Sequence, residues 1–190
     1  PSNSSATIYA WGAQLEQNSY ATSYIPTSGS TATRLGETAN NAGGAGVFNS
    51  EEGVLYAEIA ALAHTSASEV LSISNGTGSN TLYLGFSTIA NKIVAQLVTG
   101  GVAVTNMTHI LSNTLEFNKI AVLYANDNHK LFVNGQVVAT DTSGATPSAG
   151  TFDRINFDFG QGSFDFYGKV KDLQVFNYVL TDEELQTLTT

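Results

Sequence analysis

Residues 118–140 constrain the fold more than any other part of the chain. They read NKIAVLYANDNHKLFVNGQVVAT, two runs of β-forming residues separated by four polar ones and followed by a second tight turn. Asn134-Gly135 is the dipeptide that best tolerates the positive φ angles of a two-residue turn. An antiparallel meander of this kind buries little apolar surface by itself. The segment therefore predicts a sheet that needs a second sheet to cover its apolar face.

Further strand-sized segments occupy much of the remaining chain. They cover residues 53–62, 70–74, 81–86, 91–99, 102–107, 151–159 and 164–177. In the first four, aliphatic residues share one parity, while small, polar and aromatic residues share the other. Such spacing is typical of a β-sandwich rather than of alternating strands and helices. The parity of the last segment changes partway, which predicts a β-bulge near Lys171-Asp172.

One helix is predicted, at the C-terminal end. Thr181 is a favourable N-cap, and Glu184, three positions later, completes a capping box. Leu185 and Leu188 are spaced so that both pack on the sandwich. The fold class is therefore all-β, a two-sheet antiparallel β-sandwich with a short C-terminal helix.

The first 35 residues are predicted to form a separate part. Residues 7–15 have the composition of a strand, residues 20–26 form an extended segment that ends at Pro26, and a polar stretch without periodicity follows. We place a boundary near Arg34. Residues 1–35 are then an N-terminal strand segment and linker, and residues 36–190 are the sandwich domain. The sequence leaves open whether residues 1–35 pack on this domain or complete a preceding module.

The charge balance argues against two classes of partner. The formal net charge is −9, from seven Lys and Arg against sixteen Asp and Glu. Nucleic acids and anionic membranes require clustered cations, so neither is a predicted partner. No apolar run approaches the ~20 residues that cross a bilayer. Cysteine is absent, which excludes disulfides and thiolate metal sites.

Two parts of the sequence resemble known families. The meander, together with YGKVKDLQVFNYVLTDEELQTL near the C-terminus, resembles the concanavalin A-like (laminin G or pentraxin-like) jelly roll over residues 46–190. Residues 11–34, WGAQLEQNSYATSYIPTSGSTATR, are similar to a segment of phage tail and tail-fibre proteins that leads into a module of this type. The resemblance implies a sandwich that most often binds glycans, sometimes with calcium, and that in some branches cleaves them. It also implies further modules in a longer polypeptide and an extracellular or virion-surface location, and it leaves a homo-oligomer open.

The sequence does not predict an enzyme. Glycanases need two carboxyl groups, one to protonate the leaving oxygen and one to attack or to activate water. Alternate strand positions would hold such a pair on one face, roughly 7 Å apart. Glu58 stands alone in its strand, and neither Asp153 nor Asp158 has an acidic residue two positions away. The three histidines are isolated in sequence and are better explained as hydrogen-bonding residues than as bases.

The positions that alternate with the aliphatic residues in these strands offer a candidate carbohydrate-binding face. Aromatic rings that stack on a sugar and polar groups that bind its hydroxyls are the usual components of such a site. The candidate residues are Tyr56, Glu58, Ser72, Tyr83, Lys92 and Gln96. If their strands adjoin in one sheet, they form a shallow tyrosine-lined patch that contacts a polysaccharide. An ordinary solvated sheet face explains the same pattern, with tyrosine selected for its β propensity.

A second candidate is a Ca²⁺ site at the loop edge formed by residues 126–129, joined by Asp141 or Asp153. Ca²⁺ takes six to eight oxygen ligands, which three adjacent residues cannot supply. Turn formation explains Asn126, Asp127 and Asn128 without a metal and is the favoured interpretation.

The sequence thus predicts a non-catalytic carbohydrate-binding module of a phage or virus-encoded surface protein. The alternative is a structural or adhesion module of a phage tail fibre that has no glycan ligand of its own.

Overall fold

The computed structural model describes residues 8–9, 11–15, 24–32, 43–64 and 67–190. The chain divides into two compact units, Pro1–Thr38 and Ala39–Thr190. The described part of the first unit forms no helix or strand, and the ring of Trp11 packs edge-on against Tyr24 at a centroid distance of 5.9 Å. The strand predicted over residues 7–15 is therefore wrong for its described part. The boundary predicted near Arg34 lies outside the described residues.

The second unit is a sandwich of two antiparallel sheets, as the sequence predicts. Its strands are β1 (Glu52–Ala61), β2 (Glu69–Ser74), β3 (Thr81–Phe86), β4 (Lys92–Thr99), β5 (Val102–Ile110), β6 (Asn118–Ala125), β7 (Asn128–Val133), β8 (Gln136–Asp141), β9 (Arg154–Asn156) and β10 (Gly168–Phe176). Sheet A has the order β10-β1-β6-β7-β8, and sheet B has the order β5-β4-β3-β2-β9. The predicted meander is the β6-β7-β8 part of sheet A.

The hydrophobic core lies between the two sheets. Leu55 and Ile59 of sheet A meet Leu84 and Leu97 of sheet B there, and all four side chains are fully buried. These are the aliphatic parities that the sequence predicts for the core. Burying a side chain of this size stabilises the fold by about 1.5–3 kcal/mol, so this layer holds the sheets together.

A short helix, α1 (Asp182–Thr189), covers the outer face of sheet A. The predicted capping box is confirmed, because the Thr181 side chain accepts from the Glu184 N–H while the Glu184 carboxylate accepts from the Thr181 N–H. Leu185 of the helix and Leu180 before it pack on the outward side chains of β1, β6 and β7. The outer face of sheet A is therefore a second apolar layer. Within the described residues, no helix is long and apolar enough to span a membrane.

The edge strands of the two sheets are irregular. The register shifts leave one extra residue in β10 (Lys171), one in β8 (Val138) and one in β5 (Val104). The shift at Lys171 confirms the bulge that the sequence predicts beside Asp172. The remaining edge strand, β9, has only three residues.

The strand predicted over residues 151–159 is shorter than expected. Only Arg154–Asn156 pairs with a neighbour, strand β2. After it, the N–H of Phe159 donates to the carbonyl of Ser163 at 2.8 Å and closes a turn. Glycines at positions 160 and 162 adopt positive φ in this turn, which removes the chain from the sheet. We call residues 157–167 the aromatic loop.

Candidate functional site

The outer face of sheet B carries the most promising site. Strand pairing arranges its outward side chains in rows across the sheet. One row contains Ser72, Tyr83, Gln96 and Asn106. The next contains Val70, Gly85, Val94 and Thr108. Successive rows lie roughly 7 Å apart along the strands, and Lys92 extends the face by one more row.

The aromatic loop forms a wall beside these rows. The ring of Phe159 packs against Tyr83 at a centroid distance of 5.0 Å and against Phe164 at 5.8 Å. The loop is fixed to the sheet through its backbone, because the N–H of Val70 donates to the carbonyl of Phe164 at 3.1 Å. Phe164 adopts a positive φ of 60° and leaves about half of its side chain exposed. An aromatic ring is thus held in place beside a sheet face.

A groove of about 280 Å³ lies between the aromatic loop and the sheet. We call it the sheet B groove. Its floor is apolar (Val70 and Val94), and its aromatic lining consists of Tyr83, Phe159 and Phe164. Its polar lining consists of Ser68, Ser87, Lys92, Asn106 and Thr108. The volume lies just below the range of about 300–1,000 Å³ that is usual for small-ligand sites.

Tyr83 is held in a fixed orientation inside this groove. Its hydroxyl donates to the Oε1 atom of Gln96 at 2.8 Å, and its ring is packed by Phe159. Burial raises the pKa of the Tyr83 hydroxyl above its ordinary value of 10.0, so the group stays neutral and keeps its proton around neutral pH. The groove therefore combines rigid aromatic surface with neutral hydrogen-bonding groups.

Four of the six residues predicted for the binding face share the outer face of sheet B. Tyr83 and Lys92 line the groove, and Gln96 orients Tyr83. Ser72 lies on the same face but is fully buried, and its hydroxyl has no hydrogen-bond partner. The aromatic loop folds back over this part of strand β2, where Gly160 packs against Ser74. Ser72 is therefore not accessible to a ligand in this structure.

The condition that all six candidate residues lie in one sheet is not met by Tyr56 and Glu58. Both belong to strand β1, which pairs with β6 and β10 in sheet A. Tyr56 is only 2% exposed because helix α1 and its approach cover that face. Glu58 accepts from the ammonium of Lys171 at 2.7 Å. Neither side chain can join Tyr83 in one patch.

Several residues of the groove are missing from the sequence prediction. Asn106 and Thr108 are exposed on alternate positions of β5. Their alternation with Thr105 and Met107 in the sequence was a signal that could have placed both on the outer face of the sheet. Phe159 and Phe164 flank the segment GQGS, whose composition indicates a turn rather than a strand. The signal for the aromatic loop was therefore present, but the side of the sandwich on which it packs was not.

The loop edge considered as a candidate Ca²⁺ site has a local explanation, which at residues 126–128 is the turn formation that the sequence favours. Asn126 and Asp127 form the β6-β7 turn, where Asp127 adopts a φ of 55°. The Asp141 carboxylate accepts from the N–H and hydroxyl of Ser143, which lowers its pKa, and Asp153 pairs with Arg154 at 2.7 Å. In the part of the chain that the structure describes, no three acidic or histidine side chains are grouped for a metal ion.

Comparison with solved structures extends the description of the fold. The chain is similar to the CBM40 of the Ruminococcus gnavus IT-sialidase bound to α2,3-sialyllactose, with 22% identity and a TM-score of 0.61 over 74% of this chain and 83% of that chain. It is also similar to the leech intramolecular trans-sialidase, with 19% identity and a TM-score of 0.60 over 74% of this chain and 23% of that chain. A third similar structure is the NanB sialidase from Streptococcus pneumoniae, with 14% identity and a TM-score of 0.60 over 75% of this chain and 24% of that chain. At these identities the likeness establishes the shared fold.

Comparison at the level of sequence identifies the family. No curated protein matches the sequence significantly. The family model of the concanavalin A-like lectin/glucanases superfamily matches residues 55–186. This range runs from strand β1 into helix α1 and contains every residue of the sheet B groove. The chain therefore belongs to the concanavalin A-like lectin/glucanases superfamily.

Proposed function

We propose that this chain is a non-catalytic carbohydrate-binding module that holds a glycan in the sheet B groove. The observation that carries the proposal is the composition of that groove. Phe164 offers an exposed ring, and Asn106 and Thr108 offer an amide and a hydroxyl on the adjacent sheet. Sugars present an apolar ring face and a rim of hydroxyl groups, which match these two kinds of surface.

The comparisons support a glycan ligand. The chain belongs to a superfamily of lectins and glucanases. The similar Ruminococcus gnavus CBM40 has been solved with α2,3-sialyllactose and with α2,6-sialyllactose. Because identity to it is 22% or less, the sugar specificity of this chain must be argued from its own groove residues.

The absence of acidic groups from the groove supports binding without cleavage. Among the described residues that line it, none carries a carboxylate. Glycoside hydrolysis by the usual mechanism needs two carboxyl groups on either side of the scissile bond. Glu58, the carboxylate included in the predicted face, lies on sheet A in an ion pair with Lys171.

We further propose that the natural ligand is a polysaccharide and that the module belongs to a phage or virus-encoded surface protein, exposed outside the cell or on the virion. The similarity of residues 11–34 to phage tail segments supports this context. Other modules of the same polypeptide would then place the groove against a glycan-coated surface.

A glycan array and affinity-gel screen of the 190-residue chain tests the proposal. Neutral and acidic polysaccharides are compared with and without Ca²⁺, using the double variant Asn106→Ala/Thr108→Ala. The matched control is Gln136→Ala/Thr140→Ala, since these residues are exposed on β8, the edge strand of the other sheet. Binding that is lost in the first variant and kept in the control supports the groove.

Two results would contradict the proposal. Binding that persists in Asn106→Ala/Thr108→Ala would place the site elsewhere on the molecule. A failure to bind any member of a broad panel would favour the alternative, a structural or adhesion module without a glycan ligand.

A further inference from the structure

Among the described residues that line the sheet B groove, Lys92 is the one that carries a charge. We propose that the groove selects a glycan carrying one carboxylate and that Lys92 is the residue that binds this group. The inference rests on the proposed function, because it names the chemical class of the glycan. Lys92 then acts as a specificity-determining residue rather than as part of the surface charge.

Lys92 differs from the other cations of the described chain. Lys130, Arg154 and Lys171 each form an ion pair with a carboxylate, at 2.6 to 2.7 Å. Lys92 forms no ion pair with a described carboxylate, and its side chain is half-buried rather than fully solvated. Two further lysines without such a pair, Lys119 and Lys169, lie on strands of sheet A. On sheet B, Lys92 is therefore the cation available to a ligand.

The surroundings of Lys92 suit an anionic group of a sugar. The hydroxyl-bearing residues Ser68 and Ser87 line the same groove, and Ser87 is held beside Lys92 by the hydrogen bond from its N–H to the Lys92 carbonyl at 2.8 Å. An ammonium ion with adjacent hydroxyl donors is a usual environment for a carboxylate. Glu69 borders an adjoining small cavity together with Lys92. Glu69 is 4% exposed, and it occupies alternate positions of β2 together with the core-facing residues Leu71 and Ile73. It therefore lies on the other side of the sheet from the groove.

The order of residues along strand β4 places the charge at one end of the groove. Val94 follows Lys92 on the same face, one row or roughly 7 Å away. Tyr83 lies in the next row, beside Gln96. A sugar whose apolar face rests on the valine floor and on Phe164 can therefore direct a ring carboxylate toward Lys92. The same geometry leaves its hydroxyls to Asn106 and Thr108.

The overall charge of the chain restricts the ligand to a few negative groups. The net charge is −9, and interactions between exposed charges are screened beyond about 8 Å at physiological ionic strength. One carboxylate inside the groove interacts at short range with Lys92. A polyuronate would bring further carboxylates to a groove whose described lining residues offer them no second cation. Lys92 therefore fits an isolated acidic residue in an otherwise neutral glycan.

Matched oligosaccharide pairs test this inference. In each pair the same hexose carries either a carboxylate or a hydroxymethyl group at C6, and polygalacturonate serves as the polyanion. The intact chain is compared with Lys92→Gln, Lys92→Arg and the control Lys169→Gln, an exposed lysine of strand β10. We expect the intact chain to prefer the acidic member of a bound pair by about tenfold, as is typical of a charge-assisted hydrogen bond. Lys92→Gln should bring this ratio close to one by lowering the affinity for the acidic member more than the affinity for the neutral member.

The remaining outcomes separate the two proposals. Retention of the preference in Lys92→Arg and Lys169→Gln would support a charge requirement at position 92. Equal binding of the two members by the intact chain, or an unchanged preference in Lys92→Gln, would overturn the role of Lys92 and leave glycan binding intact. Tighter binding of polygalacturonate than of the singly charged glycans would overturn the restriction to one carboxylate. A chain that binds no pair but binds another glycan of the broad panel would overturn the carboxylate proposal alone, and a chain that binds neither would overturn both proposals.

Discussion

Replacing Phe164 by alanine should weaken glycan binding without unfolding the chain. Aromatic side chains of this size bury about 150–250 Å² when they are fully covered, and Phe164 is 51% exposed. A sugar that covers the free surface of the ring would therefore bury about 75–130 Å², which corresponds to about 1.9–3.2 kcal/mol. The expected loss of affinity is about 25-fold to 220-fold, measured by isothermal titration calorimetry with a polysaccharide or oligosaccharide found in the array.

Phe157→Ala provides a matched control for this measurement. Phe157 lies in the same aromatic loop and is 42% exposed, but it does not line the groove. Removing its ring should change the affinity by less than about twofold, since surface positions outside the contact contribute little to binding. Because Phe164 also packs against Phe159, its removal should lower the free energy of unfolding by about 0.5–1.5 kcal/mol, and thermal unfolding of both variants checks this.

The reasoning would be refuted by two results. Binding of Phe164→Ala within twofold of the unaltered chain would mean that the ring makes no contact with the ligand. Equal losses of affinity in Phe164→Ala and Phe157→Ala, at equal thermal stability, would mean that the loop acts as a whole rather than through one ring.

Three further substitutions test the fold around the site. Tyr56→Ala should lower the free energy of unfolding by about 3–5 kcal/mol, as expected for a buried aromatic residue, and leave the affinity of the folded chain unchanged; an affinity loss in stable protein would contradict its place in sheet A. Leu185→Ala should cost about 2–5 kcal/mol in urea unfolding, and a loss below about 1 kcal/mol would mean that helix α1 does not cover sheet A. Hydrogen bonds from Ser143 hold the pKa of Asp141 below its ordinary value of 3.8, so its stabilising contribution is present above that value and is lost as the pH falls through the folded pKa. The stability difference between the unaltered chain and Asp141→Asn should therefore be larger at pH 7 than at pH 3 in thermal unfolding, and a constant difference would exclude the linkage.

Local patterns in the sequence were sufficient to predict the layers of the sandwich. Alternation in Leu55, Ala57 and Ile59 identifies a core-facing parity, because successive side chains of a strand point to opposite faces. The capping box at Thr181 and the bulge at Lys171 are local as well. Each depends on residues within a few positions of one another.

The candidate site depends on contacts that local patterns do not specify. Tyr56 and Tyr83 have similar surroundings in sequence, but strand pairing places them on different sheets. Whether the outward side chains of a strand are exposed to solvent also depends on distant residues. Helix α1, for example, covers Tyr56 although it lies 125 or more positions away along the chain. The aromatic loop likewise reaches Tyr83 from residue 159. A single sequence contains the side chains of the groove but not their assembly.

The irregular edges of the two sheets affect how copies of this module can associate. A regular edge strand presents a row of free N–H and C=O groups to which another chain can add. Here the extra residues Lys171, Val138 and Val104 interrupt that row on three edges, and β9 is too short to offer one. Many copies held close together, as in a multivalent surface assembly, would therefore not polymerise by strand addition. Contact between copies would instead use side-chain surfaces, and under the proposed function each groove would then bind its glycan separately.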